Sequence, residues 1–371
     1  MKVATFRKAF SILAFAVCAV PSAALAQYVR TDLVSNQPGV APVTDANLVN
    51  AWGLVALPTS PWWISDNGTG DSSLYNAMGQ PVVASGGTTN FVTVPPAPFS
   101  PAGTLGTPTG IVGNISPTAT DFTITEDSRS GRSIFIFATL DGTISGWNPG
   151  VGLANPTTGA THATIAANRS NVGAVYSGLA IATNQAGKTF LYAADDGPNR
   201  RVDVFDGSFN LVNTFDDPEI PREFTPYGIQ AIASPSGPQI WVTFTGLNKA
   251  QSGFVDVFST EGILLKHFAA NGPLHSPWGI ALAPADFGPM SNAILISNNI
   301  PRGRINAFDP NTGQFLGALR DANNKTIEVD DIWALQFGHD NAANGAHNQL
   351  FFTAGPNNYA NGLFGVIAAG K

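Results

Sequence analysis

The sequence predicts an all-β chain, a six-bladed β-propeller of four-stranded antiparallel blades whose ring is closed by the N-terminal strand. Three observations carry this expectation. A glycine followed by an aliphatic residue recurs along the chain, and in each copy an aromatic followed by a turn residue recurs further on. Charged residues are only 12 %, while 39 Gly and 27 Pro break the apolar segments into short Val-, Ile-, Phe- and Trp-rich pieces, which leaves little room for helices.

In chain order, the first element stands outside the fold. Lys2, Arg7 and Lys8 precede an apolar run from Ala9 to Val20, and Pro21 and the small-residue stretch Ser22-Ala23-Ala24-Leu25-Ala26 follow it. That is the layout of a secretory signal peptide cleaved after Ala26. The apolar run is about a dozen residues, short of the ~20 that a membrane-spanning helix needs. Residues 1–26 are therefore read as a signal peptide and residues 27–371 as one propeller domain, secreted or periplasmic. Cleavage removes three positive charges and no negative one, so the net charge goes from −7 to −10. An acidic surface argues against nucleic acid or an anionic membrane as partner. The only cysteine, Cys18, leaves with the leader, and a core this large needs no covalent staple. A monomer without a membrane span is expected.

The glycine marker appears as Trp52-Gly53-Leu54, Thr109-Gly110-Ile111, Ser177-Gly178-Leu179, Tyr227-Gly228-Ile229 and Trp278-Gly279-Ile280, with a degenerate copy at Trp333-Ala334-Leu335. The spacings are 57, 68, 50, 51 and 55 residues, near the roughly 50 of the longer propeller repeats. The aromatic marker is Tyr75-Asn76, Trp147-Asn148, Phe205-Asp206, Phe258-Ser259 and Phe308-Asp309, followed by Gly79, Gly150, Gly207, Gly262 and Gly313. The polar residue caps its own turn and the glycine is expected in the left-handed position.

Each copy thus reads as an inner strand at the glycine marker, a second strand such as Trp62-Trp63-Ile64-Ser65, a third ending in the aromatic, and a fourth such as Leu211-Val212-Asn213-Thr214-Phe215. The sixth copy reaches its third strand at Leu363-Phe364-Gly365-Val366-Ile367 and then has no fourth. Tyr28-Val29-Arg30-Thr31-Asp32-Leu33-Val34 has the character of the missing strand, and pairing it there leaves no open sheet edge.

Gly178 to Phe205, with Leu191-Tyr192-Ala193-Ala194-Asp195-Asp196 and Asn199-Arg200-Arg201-Val202-Asp203-Val204-Phe205, resembles the NHL repeat, as does Gly279 to Phe308. The whole mature chain is similar to an uncharacterised family of secreted bacterial proteins with an NHL-like propeller, through Asn50-Ala51-Trp52-Gly53-Leu54, Asp141-Gly142-Thr143-Ile144-Ser145-Gly146-Trp147-Asn148-Pro149 and Ser276-Pro277-Trp278-Gly279-Ile280. The resemblance implies a released propeller and brings no activity with it.

In a propeller, the loops entering the inner strands and those between second and third strands share one face around the channel, and binding sites favour that face. Asp66 and Asn67, Asp195 and Asp196, Asn298 and Asn299, Asp330 and Asp331, and Asn357 and Asn358 fall there. No cofactor is demanded, but a ring of oxygen ligands suits a hard cation such as calcium. Asp and Asn also make good turns, which accounts for them without an ion. Trp52, Tyr227, Trp278 and Trp333 belong to the same mouth, where they either stack on a sugar or other flat ligand or pack between inner strands. The segment Pro95 to Pro108 joins the first two copies on this face, either across the channel or as a passive linker.

Catalytic signatures fail. No serine sits in G-x-S-x-G, H-E-x-x-H is absent, and His162, His267, His275, His339 and His347 do not recur at equivalent repeat positions. Two function classes follow. The first is a non-catalytic binding or scaffold propeller whose channel face takes an unknown glycan, small molecule or protein. The alternative is a metal-dependent hydrolase or lactonase, with the cation polarising a carbonyl and an aspartate such as Asp195 activating water. A fold alone licenses neither activity, and the first is preferred because no positioned base can be named.

Overall fold

The computed structural model describes Met1, residues 27–246 and residues 252–370. The expected signal peptide lies outside the described residues. Among them the chain is all β, apart from one 3-10 turn at Ser170–Val172.

Six antiparallel sheets are arranged as the blades of a propeller. From the channel outward, blade one is Ala51–Val55, Trp62–Asp66, Asp71–Tyr75 and Phe91–Thr93. Blade two is Pro108–Gly113, Phe135–Thr139, Thr143–Trp147 and Thr164–Asn168. Blade three is Tyr176–Thr183, Thr189–Asp195, Arg201–Phe205 and Leu211–Phe215. Blade four is Phe224–Ile232, Gln239–Gly246, Ser252–Phe258 and Leu264–His275. Blade five is Pro277–Leu282, Ile294–Asn298, Gly303–Phe308 and Phe315–Ala318. Blade six is Ile332–Phe337, Gln349–Ala354 and Leu363–Ala369, completed on the outside by Tyr28–Ser35.

That last strand closes the ring as expected. It runs antiparallel to Leu363–Ala369, with Tyr28 opposite Ala369 and Ser35 opposite Leu363 and a bulge at Asp32/Val34. The Tyr28 hydroxyl accepts the Met290 N–H at 2.8 Å and its ring lies 4.7 Å from Phe287, so the closing strand also grips blade five.

The glycine marker has a physical cause. A Cβ on Gly53 would stand 2.2 Å from the Thr109 carbonyl oxygen, and one on Gly228 2.0 Å from that of Trp278. Inner strands converge so closely that the side chain facing the next blade has to vanish. Hydroxyls stitch the same seams: Ser177 donates to the Tyr227 carbonyl at 2.8 Å and Ser297 to that of Trp333 at 2.6 Å. Six apolar clusters fill the wedges between blades, as Trp63, Ile111, Phe135 and Trp147 do between blades one and two. Each such side chain contributes roughly 1.5–3 kcal/mol on burial.

The aromatic marker also resolves into structure. Tyr75, Trp147, Phe205, Phe258 and Phe308 each end a third strand and are buried. The residue after each accepts a backbone N–H two positions on, from Met78, Gly150, Ser208, Glu261 and Asn311. Gly79, Gly262 and Gly313 take the expected left-handed conformation, but Gly150 and Gly207 do not. In blade three Phe209 takes it instead, at φ 60°, packing on Phe122. Gly207 is small for another reason: a Cβ there would meet the Asp121 carboxylate at 2.4 Å.

Three additions go beyond four strands per blade. Val43–Thr44 runs parallel to the closing strand, Thr161–His162 runs parallel to Phe91–Thr93, and Glu328–Val329 pairs with the start of Gly303–Phe308. A hairpin of Thr123–Glu126 and Arg129–Arg132 is inserted between the first two strands of blade two, which lengthens the interval from Gly110 to Gly178.

Candidate functional site

The channel face is built on inner strands that all begin there. Three of them are entered through a left-handed residue two positions before a tryptophan: Asn50 (φ 49°) before Trp52, Ser276 (φ 46°) before Trp278 and Asp331 (φ 49°) before Trp333. Non-glycine residues adopt this conformation at a cost. The [Asn/Ser/Asp]-x-Trp spacing was visible in the sequence but carried no meaning there without the backbone angle.

The entries aim the indoles into the axis, where they meet one another. Trp52 and Trp333 stack with centroids 3.6 Å apart, Trp278 stands edge-on to Trp333 at 5.8 Å, and Tyr227 lies 5.8 Å from Trp333 on another side. Their exposures are 6, 8, 4 and 0 % for Trp52, Trp278, Tyr227 and Trp333. Trp333 donates to Asn50 Oδ1 at 2.9 Å and Trp278 to the Ser177 carbonyl at 3.1 Å. The Trp52 indole N–H is buried without a hydrogen-bond partner. Along the axis, the space lined by Gly53, Gly110, Trp278 and Gly279 measures about 20 Å³, room for about one water. The channel is thus floored by packed rings.

Above this floor the oxygen-bearing residues divide into two sets. Asp66, Asp195 and Asn298 are buried at strand ends, the two aspartates with hydrogen bonds inside their own blades and Asn298 with bonds to the outer strand of blade four. Asp66 Oδ2 accepts both the N–H and the hydroxyl of Ser73. Asp195 accepts the N–H groups of Val175 and Gly197 and the amide of Asn199. Asn298 accepts from His275 N–H and donates to the Pro273 carbonyl. Burial pushes the Asp66 and Asp195 carboxyls up, against these hydrogen bonds.

The second set consists of the residues that directly follow these, and Asn299 among them is fully buried. Asn299 Oδ1 accepts the hydroxyls of Tyr227 (3.3 Å) and Tyr359 (2.9 Å), two residues of different blades. Asp196 accepts the Thr225 hydroxyl, and Asn67 bridges Asn50 and the Pro108 carbonyl. Burial, and then the charges of Tyr359, Asp196 and Asp331, hold the Tyr227 hydroxyl in its protonated form, and Asp331 adds to the same effect of burial on Tyr359. Tyr359 was not singled out from the sequence. It covers Trp333 at 5.5 Å and is half-buried at the end of three consecutive left-handed residues, Asn357 (φ 58°), Asn358 (φ 56°) and Tyr359 (φ 67°). Asp330 is exposed and accepts the Arg302 N–H. Residues 95–108 pack on the loop of blade two, through Ala97 N–H to Asp141 and Leu140 N–H to the Thr107 carbonyl.

A roomier concavity begins at Asn298 and runs outward along blade five. It measures about 610 Å³ and includes His275, Arg304, Asn306 and Arg320. Among the described residues no helix is long and apolar enough to cross a membrane.

No family model matches the chain. It is 27 % identical over 363 residues to an uncharacterized protein of Acanthamoeba polyphaga mimivirus, covering 94 % of this chain and 87 % of that one. A second uncharacterized protein of the same virus is 27 % identical over 359 residues, covering 90 and 78 %. These relatives are viral, so the expected likeness to NHL repeats and to a secreted bacterial family rests on the residues quoted for it alone. Among solved structures, a streptogramin B lyase is similar with a TM-score of 0.50 at 12 % identity, over 94 % of this chain and all of the other. At that identity the likeness concerns the fold alone. The chain is a six-bladed β-propeller.

Proposed function

We propose that the protein is a non-catalytic binding module, secreted or periplasmic, that takes a glycan on its channel face. The observation that carries this reading is Tyr359, held half-exposed on the tryptophan floor by three left-handed residues in a row. Strain of this kind costs on the order of 1–3 kcal/mol per residue and persists where surrounding structure or function requires it. A ring face beside amides and carboxylates suits a sugar, whose C–H face stacks and whose hydroxyls hydrogen-bond. A floor with about 20 Å³ beneath it supports binding on the face over entry into the axis. Both oxygens of Asp195 and Oδ2 of Asp66 are engaged by their own blades, which favours recognition over water activation.

A glycan array probed with labelled protein and with Tyr359→Ala tests this. The expected result is a discrete set of bound glycans, weakened at least tenfold in the variant. No bound glycan, or equal binding by the variant, removes the proposal.

A further inference from the structure

The residue two positions before the terminal aromatic of the third strand is buried in blades three, four and five: Asp203, Asp256 and Asn306. Each blade has to satisfy it. In blade three Asp203 meets the Arg201 guanidinium at 2.7 Å and the Tyr176 hydroxyl at 2.8 Å. In blade five an uncharged amide, Asn306, donates to the Pro273 carbonyl at 2.8 Å. Blade four brings a second buried carboxylate, Asp217, from the segment that follows the fourth strand of blade three, and its cation is the half-exposed His267.

Asp217 and Asp256 are 5 and 1 % exposed, and Oδ2 of each is buried without a hydrogen-bond partner. Burying charge without full compensation is costly. Two carboxylates share a single imidazole here. His267 Nδ1 stands 3.3 Å from Asp217 Oδ2 and 3.1 Å from Asp256 Oδ1. Ligands bound at about 2.0–2.2 Å in a tetrahedron stand roughly 3.3–3.6 Å apart, so the two nitrogen–oxygen separations already fit, and all three ligand atoms lie within 4.8 Å of one another. The other ring nitrogen, Nε2, faces the Glu219 carboxylate at 3.5 Å, the arrangement by which an outer carboxylate orients a ligating histidine.

We propose that Asp217, Asp256 and His267 form a binding site for a borderline divalent cation of the zinc class, on the outer strands of blade four. Imidazole selects zinc-class ions over calcium and magnesium, which prefer an all-oxygen shell. Exposure of His267 leaves the ion a side open to water. The histidines do not recur between copies, so repeat comparison passed over this one.

The test uses the full mature chain without a histidine tag. After chelation and dialysis, thermal unfolding is followed with zinc, manganese or calcium added, and bound metal is counted by elemental analysis. One zinc per chain and a raised unfolding temperature with zinc are expected. Both are lost in Asp256→Asn, and zinc binds at least roughly tenfold more weakly in His267→Ala, whose half-exposed site tolerates truncation. His347→Ala, which alters a histidine between the exposed Asp286 and Asp340, keeps both. Zinc absent from the wild type, retained by His267→Ala, or lost in His347→Ala overturns the proposal, and a larger shift with calcium overturns the zinc-class assignment.

Discussion

Trp278, on the inner strand of blade five, donates its indole N–H to the carbonyl oxygen of Ser177 on blade three, 3.1 Å away. The two blades are not neighbours, so this bond spans the axis past blade four. The aromatic layer therefore ties the ring across its middle as well as around its circumference. Trp278→Phe keeps most of the ring and removes the donor, leaving a buried carbonyl unmatched. A loss of about 1–3 kcal/mol is expected in urea unfolding, against about 3–5 kcal/mol for Trp278→Ala.

Gly228→Ala tests why the repeat is written with glycine. Its Cβ would lie 2.0 Å from the Trp278 carbonyl oxygen, with the Thr243 hydroxyl at 2.9 Å, and backbone on both sides of the seam cannot step aside. Overpacking is expected to cost about 1–3 kcal/mol or more in chemical unfolding. The reverse change in the sixth blade, Ala334→Gly, costs under about 1 kcal/mol, since that position already holds a buried methyl group. Equal effects at the two sites remove the explanation.

The contrast between these residues shows what the sequence made legible. Gly53, Gly228 and Gly279 announced the inner strands because a single steric cause acts on all of them. Tyr75 and Phe258 announced the third strands because each is buried and followed by a self-capped turn. The closing strand was legible through the absence of a fourth strand in the last copy. The site was less so. Which oxygen of Asp195 is consumed by its own loop, or whether Trp52 faces a ligand or Trp333, depends on side-chain direction and on contacts between blades. Tyr359 and Asp217 owe their placement to segments between strands that differ from copy to copy, and a repeat pattern says nothing about them.

Closure by the N-terminal strand predicts a defined failure. A chain starting after Ser35 leaves Leu363–Ala369 as an unpaired edge and removes the Tyr28 contacts with Met290 and Phe287. Exposed edges template association between chains. Gel filtration is expected to show oligomers or aggregates for the shortened chain, and a synthetic peptide of residues 27–36 restores the monomer-sized peak. A truncated chain that stays the same size and as stable as the parent contradicts the closure argument.

A carboxylate group in blade one makes the last prediction, on pH. Asp45, Asp66 and Asp71 lie together there, Asp45 accepting the Tyr75 hydroxyl at 2.9 Å and the Asn90 amide at 2.8 Å. Burial, with the charge of Asp45 adding to it and a Thr93 hydrogen bond opposing it, holds Asp71 up at about 6. Its unfolded value is the ordinary one near 4, so between about pH 4 and pH 6 the folded chain binds more protons than the unfolded chain. Stability then falls as pH rises through that window and levels off above it. Asp66, also raised by burial and by Asp71 and Asp45, acts with the same sign. Asp71→Asn keeps the shape and removes one of the ionisations. Urea midpoints are expected to match wild type near pH 4 and to exceed it at pH 7.5. A variant that runs parallel to wild type over the whole range would show that Asp71 titrates alike in both states, and the burial argument for this cluster would fall.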